Sequence, residues 1–451
     1  MKDYAEIHLR AKRLEGPIMN AQIESLESRR LMSWSTVEDI RDARYDAMTA
    51  DASGNLYAAG RARDDAGVVH GIMREKAAGS SSWTTTWDVV PSLVSGITDI
   101  EVNAAGDVYL AGTAGSNWAI ARRAAGSADF TIVDQFAGSP QDMTIDAAGN
   151  VFAVGWVAVA ATTKNKPASS YWTVRKQMGG AGAFVTVDSF RYSGTNSGAN
   201  GVTNIAEGSA AGIYVVGYGG AETTDPGLRH LVRKSTNGGV TWSTVDDFTY
   251  QSGQGSAAFA VSGDGKGNVY VAGHAYTSTG KGFKGTIVRT LFVVRKSATG
   301  NTGSWLLDDV CDVGQGGGCV PNAIGADLDG KMYVVGDRSD FTDNSPSQIT
   351  RTNASGTWQT VDQLASGSQG FDFAKDLSGN LYTAGYASDA GVLHAIVRSS
   401  PAVNSPTTAT FSSQPASSRD DWSLFSSQPI SSSGVWSLLS SPDRQIDELL
   451  A

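Results

Sequence analysis

Along most of the chain, short apolar runs alternate with polar clusters, with the period of two that half-buried strands require. One ten-residue pattern returns throughout: DASGNLYAAG (51–60), NAAGDVYLAG (103–112), DAAGNVFAVG (146–155), GSAAGIYVVG (208–217), DGKGNVYVAG (264–273), DLDGKMYVVG (327–336) and DLSGNLYTAG (376–385). Its first half is a turn, because Asp accepts hydrogen bonds from the backbone ahead of it and Gly and Asn tolerate left-handed φ. Its second half is a strand with one buried face. That strand carries an aromatic (Tyr57, Tyr109, Phe152, Tyr214, Tyr270, Tyr333, Tyr382) and a glycine three residues later. The fourth copy departs, with Gly212 in the Asn position.

Each copy runs on into a third strand ending in Arg74, Arg122, Arg175, Arg233, Arg295, Arg351 or Arg398. After a Gly-rich turn a fourth strand ends in an acid, as in FTIVD (130–134) and WSTVD (242–246). Four strands in roughly 50 residues, repeated, predict an all-β fold: a seven-bladed β-propeller of four-stranded antiparallel blades. Past the last third strand, HAIVRSS (394–400), comes PAVNSPTTAT, and no fourth strand follows. The missing strand stands at the other end of the chain. SWSTVEDI (33–40) matches TWSTVDDF (241–248), Trp34 for Trp242 and Glu38 for Asp246. The ring is therefore expected to close by strand 33–40 completing the last blade, which removes two sheet edges. The predicted layout is a charged arm over 1–32, the propeller over 33–400 and a Ser/Pro-rich flexible tail over 401–451.

Composition narrows the function classes. The chain of 451 residues has 53 glycines, 18% charged residues and a net charge of −10. No basic footprint points to nucleic acid, and no apolar run is long enough for a membrane-spanning helix. A monomer is expected. The two cysteines, Cys311 and Cys319, bracket the Gly-rich loop of CDVGQGGGC. They are expected to form a structural disulfide in an oxidising compartment.

The phrase D-x-x-G-N-x-Y-x-x-G resembles the bacterial seven-bladed propeller repeat abbreviated SBBP, over about residues 34–400. That resemblance implies an extracellular or cell-surface protein and specifies no reaction. STNGGVTW (235–242) resembles the Asp-box of sialidases, with Asn237 in the Asp position. The box is a turn between third and fourth strands, away from catalysis in that family. LESRRLMS (26–33) resembles the LEPR-XLL motif at the front of some bacterial surface proteins, with Ser28 and Met32 as departures. Residues 1–33 lack the apolar core of an ordinary secretory signal, so an export role would rest on that motif.

Candidate chemistry follows from propeller geometry. The connections from second to third strand, and from fourth strand to the next blade, emerge on one face around the channel mouth. Long connections there, 156–171, 218–229, 274–290 and 337–348, carry Trp156, Tyr171, Tyr218, His274, Tyr276, Phe283 and Phe341. Aromatics on such loops suit sugar faces or a protein partner. A polar ring, Asp46, Asp99, Asp142, Asn204, Asn322 and Asp372, recurs near the start of the inner strands. It could hold calcium through oxygen ligands, or each member could cap its own turn; no other cofactor is expected. The repeated arginines read as structural, with the fourth-strand acids as their expected partners, although hairpin register does not place them opposite one another. His70, His230 and His394 occupy equivalent third-strand neighbourhoods, which leaves too few histidines for a triad or zinc site. The leading expectation is a non-enzymatic extracellular binding or scaffold module for a protein or glycan. A glycan-active hydrolase or lyase with acids at the channel mouth is the alternative, and a purely structural surface-layer component the third.

Overall fold

The computed structural model describes residues 33–401, apart from 90–93, 160–168, 195, 207, 221–226, 283–284, 315–316 and 340–344. The proposed arm and sorting-like motif, the tail beyond Pro401, and the aromatics Phe283 and Phe341 fall outside the described residues or side chains.

The chain is a β-propeller. Its strands pair into five four-stranded sheets and one eight-stranded sheet. The larger sheet is two four-stranded meanders joined by a single parallel bridge, Thr290 to Gly318. In chain order the four-stranded units span 43–89, 95–137, 139–190, 197–248, 256–311, 318–363 and, last, 368–400. The last unit is completed by the N-terminal strand Ser35–Arg41, which runs antiparallel to Val392–Ser400. Closure by the first strand is thus borne out. It carries Trp34 into a cluster with Tyr333 and Leu381.

The repeated glycine at the end of the second strand has a steric cause. Each inner strand bulges opposite it, with register shifts at Tyr45/Ala47, Pro140/Asp142, Ala199/Gly201, Ala258/Ala260, Pro321/Ala323 and Gly370/Asp372. A bulge strengthens twist and drives the backbone out of the pleat. A Cβ on Gly60, Gly155, Gly217, Gly273, Gly336 or Gly385 would collide with an inner-strand carbonyl oxygen. Only hydrogen fits there.

Neighbouring units are held by two repeated contacts. The aromatic that opens each outer strand packs on the second-strand aromatic of the unit before it, as with Trp83 on Tyr382, Phe184 on Tyr109 and Trp305 on Tyr214. The third-strand arginine reaches back to the preceding unit's outer-strand acid. Arg233 meets Asp188 at 2.8 and 3.0 Å, Arg295 meets Asp246 at 2.6 and 2.8 Å, and Arg351 meets Asp309 at 2.9 Å twice. Arg398 binds Asp362 at 2.6 Å, Arg175 binds Asp134, and Arg74 binds Glu38 of the closing strand at 2.5 Å. The pairing is real and lies between units, which is why register within one hairpin did not show it.

The second unit breaks this rule. Ladder register puts Ala121, not Arg122, in the arginine position: Ile120 faces Asp134 as Val232 faces Asp246. In the first unit the acid position holds Trp87, opposite Met73, and Asp88 lies one residue on. Ala121 and Trp87 share one buried cluster, with Phe130 edge-on to Trp87 at 5.2 Å. Arg122 instead binds Asp107 of its own turn at 2.7 Å.

Candidate functional site at the channel mouth

Bulge and glycine together define two sets of positions beside the upper channel mouth. One is the extra inner-strand residue: Asp46, Gln141, Asn200, Phe259, Asn322 or Phe371. The other is the residue after the second-strand glycine: Arg61, Trp156, Tyr218, His274, Asp337 or Tyr386. In four units the two sets touch. Asp46 pairs with Arg44 at 2.5 Å and Arg61 at 3.6 Å. Asn322 donates to Asp337 at 3.1 Å. Phe259 lies 5.0 Å from the His274 ring, and Phe371 5.9 Å from Tyr386. A framework that repeats elsewhere thus changes chemistry from unit to unit here, from charged to amide to aromatic.

The expected aromatics sort themselves accordingly. Trp156, Tyr218 and His274 occupy equivalent places in three consecutive units. Tyr171 pairs with Val157 across the hairpin, and the Tyr276 ring lies tilted against His274 at 4.8 Å. Trp156, Tyr171, His274 and Tyr276 are not on loops, as expected from sequence, but in strands Val151–Val159, Ser169–Met178 and Val269–Gly282, which continue past the repeat. Tyr218 likewise ends the strand Gly212–Gly219. Alternating β-branched and aromatic residues carry the ladder onward. His274 is wrapped by Phe259 and Tyr276, and burial holds it neutral, with a pKa pushed down to about 4. His230, fully buried, falls to about 3 through burial first and the Arg295 charge second. His230 does not match His70 and His394: the equivalent residue is Arg229, which binds Asp247 at 2.6 Å as His70 binds Asp88 and His394 binds Asp39.

The polar ring is not one set. Asp99, Asp142 and Asp372 share a position just past the bulge, opposite Ala111, Val154 and Ala384. Asp46 and Asn322 are bulge residues, and Asn204 lies further down its strand, opposite Ile213. Sequence spacing alone did not count the bulge, so positions one to three residues apart were merged. Each of the three equivalent aspartates accepts the amide of a neighbouring inner strand: Met143 to Asp99 at 2.8 Å, Val202 to Asp142 at 2.7 Å and Met48 to Asp372 at 2.7 Å. Glu101, which the sequence reading missed, joins them. Burial raises all four, reinforced by neighbouring carboxylates at Asp99, Glu101 and Asp372: Asp142 and Asp372 rise to about 7, Glu101 to about 8 and Asp99 well above the carboxylate range. Asp337, buried and bonded to Asn322, Gln369 and the Gly370 amide, also rises to about 7. Among the described residues no group of three or more His, Cys, Asp or Glu is arranged to hold a metal ion.

The structure brings the two cysteines of the expected disulfide together without a bond between them. Cys311 and Cys319 are buried thiols with sulfurs 2.9 Å apart. They are brought together because Cys311 ends one outer strand and Cys319 opens the next inner strand.

No family model matches the chain, and no curated protein matches it in sequence. Solved structures do. The polysaccharide lyase Uly1 is similar over 79% of this chain and 90% of its own, with 10% identity and a TM-score of 0.50. A puromycin-hydrolyzing peptidase of Mycobacterium tuberculosis is similar over 80% of this chain and 52% of its own, at 11% identity and a TM-score of 0.47. Virginiamycin B lyase of Staphylococcus aureus is similar over 81% and 99%, at 10% identity and a TM-score of 0.44. At such identities the likeness shows the propeller fold alone.

Proposed function

We propose that this protein is an extracellular or surface-attached binding propeller, a monomeric ring of seven blades when the eight-stranded sheet is counted as two. Its channel-mouth face would take a protein or glycan. The observation that carries the reading is the placement of Trp156, Tyr218 and His274 at equivalent positions in consecutive units, flanked by Tyr171 and Tyr276. A framework kept constant by repetition, and varied toward large amphipathic rings at one rim, fits a recognition surface. The test is glycan-array and pull-down binding of the full chain against Trp156→Ala and Tyr218→Ala. Loss of the same ligands in both variants, with unchanged melting, supports the reading; binding indifferent to both overturns it.

A second reading has its own observation. The channel carboxyls Asp142, Asp372 and Glu101 hold protons near neutral pH, as a general acid must. It assigns a glycan-active hydrolase or lyase. New reducing ends released from a bound polysaccharide, and abolished by Asp142→Asn, would place this reading first.

A further inference from the structure

Two positions at the junction of the fifth and sixth units depart from the repeat, and both departures are to cysteine. Cys311 ends the fifth outer strand, opposite Phe292. The same place holds Val89, Phe136, Phe190 and Phe248 in the four units before it, opposite Gly71, Trp118, Trp172 and His230. Cys319 stands two residues ahead of Pro321, which faces Gly336. That place holds Ser197, Ser256 and Ser368 in the fourth, fifth and seventh units. Packing therefore calls for sulfur at neither position, yet the two sulfurs meet at 2.9 Å.

The surroundings suit a reactive thiol. At three other junctions the third-strand guanidinium lies over the outer-strand ring: Arg175 over Phe136 at 4.4 Å, and Arg233 over Phe190 and Arg295 over Phe248 at 4.1 Å. At this junction the ring is replaced, and the Arg351 charge acts on a thiol instead. The hydrogen bond from the Cys319 S–H, aided by that charge, lowers the Cys311 pKa against a burial cost. Thiolate is the form that exchanges with disulfides. What exposure the pair has belongs to Cys311, at 8% against 0% for Cys319.

Both cysteines also adjoin the anchors of the fifth unit's long hairpin, Val269–Gly282 and Gly285–Ser297. Asp312, next to Cys311, accepts hydrogen bonds from Arg289 at 2.7 and 3.0 Å and from the Gly314 amide at 2.9 Å. Gly318, next to Cys319, makes the parallel bridge to Thr290. Arg289 and Thr290 lie opposite Thr277 and Tyr276. Each thiol is thus one residue from a contact that holds the limb facing Tyr276.

We propose that Cys311 and Cys319 form a redox switch that clamps this hairpin. The oxidant is a small disulfide such as glutathione disulfide. The Cys311 thiolate attacks one of its sulfurs, breaks its S–S bond and releases one glutathione thiolate. Cys319 gives up its proton, and its sulfur then attacks Cys311 and releases the second. Two electrons pass from the protein to the glutathione disulfide, and the two cysteine protons end on the released thiols. The new bond fixes Asp312 and Gly318 relative to one another, whereas the reduced pair lets the two anchors open separately. The clamp does not rest on the recognition reading, because it is read from hairpin motion and not from binding.

The test is amide hydrogen exchange of the full chain in oxidised and in reduced glutathione, with free thiols counted by mass after alkylation. The pair should pass reversibly between two free thiols and none. On oxidation the amides of 276–278 and 289–291 should exchange more slowly by about fivefold or more. Those of the third unit's hairpin, Val151–Val159 and Ser169–Met178, should not change. Cys311→Val and Cys319→Ser place residues that the repeat already uses there, so they are expected to fold, and each should abolish the response. Asp312→Ala should still form the bond but lose the slowing over 289–291. A pair that glutathione disulfide does not oxidise, or that excess glutathione does not reduce in the folded chain, overturns the proposal. Exchange indifferent to the redox state overturns it too, as does equal slowing of both hairpins, which would make the bond a general staple.

Discussion

The junction where the ring closes and the junction after it solve the same packing problem differently. At closure, Glu38 of the N-terminal strand meets Arg74, as an acid meets an arginine at every other junction but one. Between the first and second units the same two positions hold Trp87 and Ala121. Both partners changed together, as the physics demands. An arginine without its acid, or an acid without its arginine, would leave a buried charge uncompensated, whereas a well-packed apolar pair of similar volume is often as stable. The ion pairs are supported from above as well: the guanidinium of Arg233 lies 4.1 Å from the Phe190 ring, and that of Arg295 4.1 Å from Phe248.

The largest effect should come from removing closure itself. Deleting residues 33–41 strips a strand, Trp34 and Glu38 from the last unit, and takes from Arg74 its acid and from Arg398 its bonds to Thr36 and the Trp34 carbonyl. Thermal unfolding followed by circular dichroism should lose its single cooperative transition. Deleting 402–451 should leave that transition in place.

Next comes a direct exchange of the two junction types. Arg233→Leu leaves Asp188 buried and unpaired and should cost about 3–5 kcal/mol in urea unfolding; an unchanged midpoint would refute the structural role given to these arginines. At the apolar junction, Trp87→Asp and Ala121→Arg should each destabilise on their own. Together they should recover part of the loss, with a coupling of about 1–3 kcal/mol. Additive losses would mean that the exceptional junction cannot accept the common solution.

The channel carboxyls set the pH dependence of the whole ring. Their folded pKa values are raised, so the native state holds more protons than the unfolded chain between about pH 4 and 8. Stability is full below the unfolded carboxyl pKa and falls as pH rises through 7–8. Asp142→Asn should flatten that fall, by about 1–2 kcal/mol between pH 5 and 8.5. A wild-type chain more stable at pH 8.5 than at pH 5 would contradict the buried cluster.

How much of this was legible in sequence depends on whether a feature follows the period. The strands, the turns and the closing strand do, and a phrase such as SWSTVEDI placed at 33 has only one partner sheet to complete. The bulge does not. One unpaired inner-strand residue shifts every position after it, and so Asp46 was grouped with Asp99 and Asn204 although they face different surroundings. Arg122 was misplaced for another reason: the residue after the ladder's slip is the arginine in the other third strands but Ala121 here, one residue before Arg122. Contacts between units were invisible to reasoning within one hairpin. Arg233 looks across to Asp188, 45 residues back, and nothing in its own repeat says so.

The smallest effect belongs to an exposed pair beside the apolar junction. With Trp87 in the acid position, Asp88 binds His70 Nδ1 at 2.7 Å, while Asp64 faces Nε2 at 3.3 Å. The Asp88 hydrogen bond, against a small burial cost, raises the His70 pKa. A raised histidine pKa stabilises fully below the unfolded value near 6.5, and that contribution disappears as pH rises through the folded value. The pair is solvent-screened, so His70→Ala should cost less than about 1 kcal/mol at pH 5.5 and still less at pH 8.5. Nuclear magnetic resonance titration of the His70 ring gives the sign independently. A midpoint below that of an exposed histidine would show that Asp88 is not its partner.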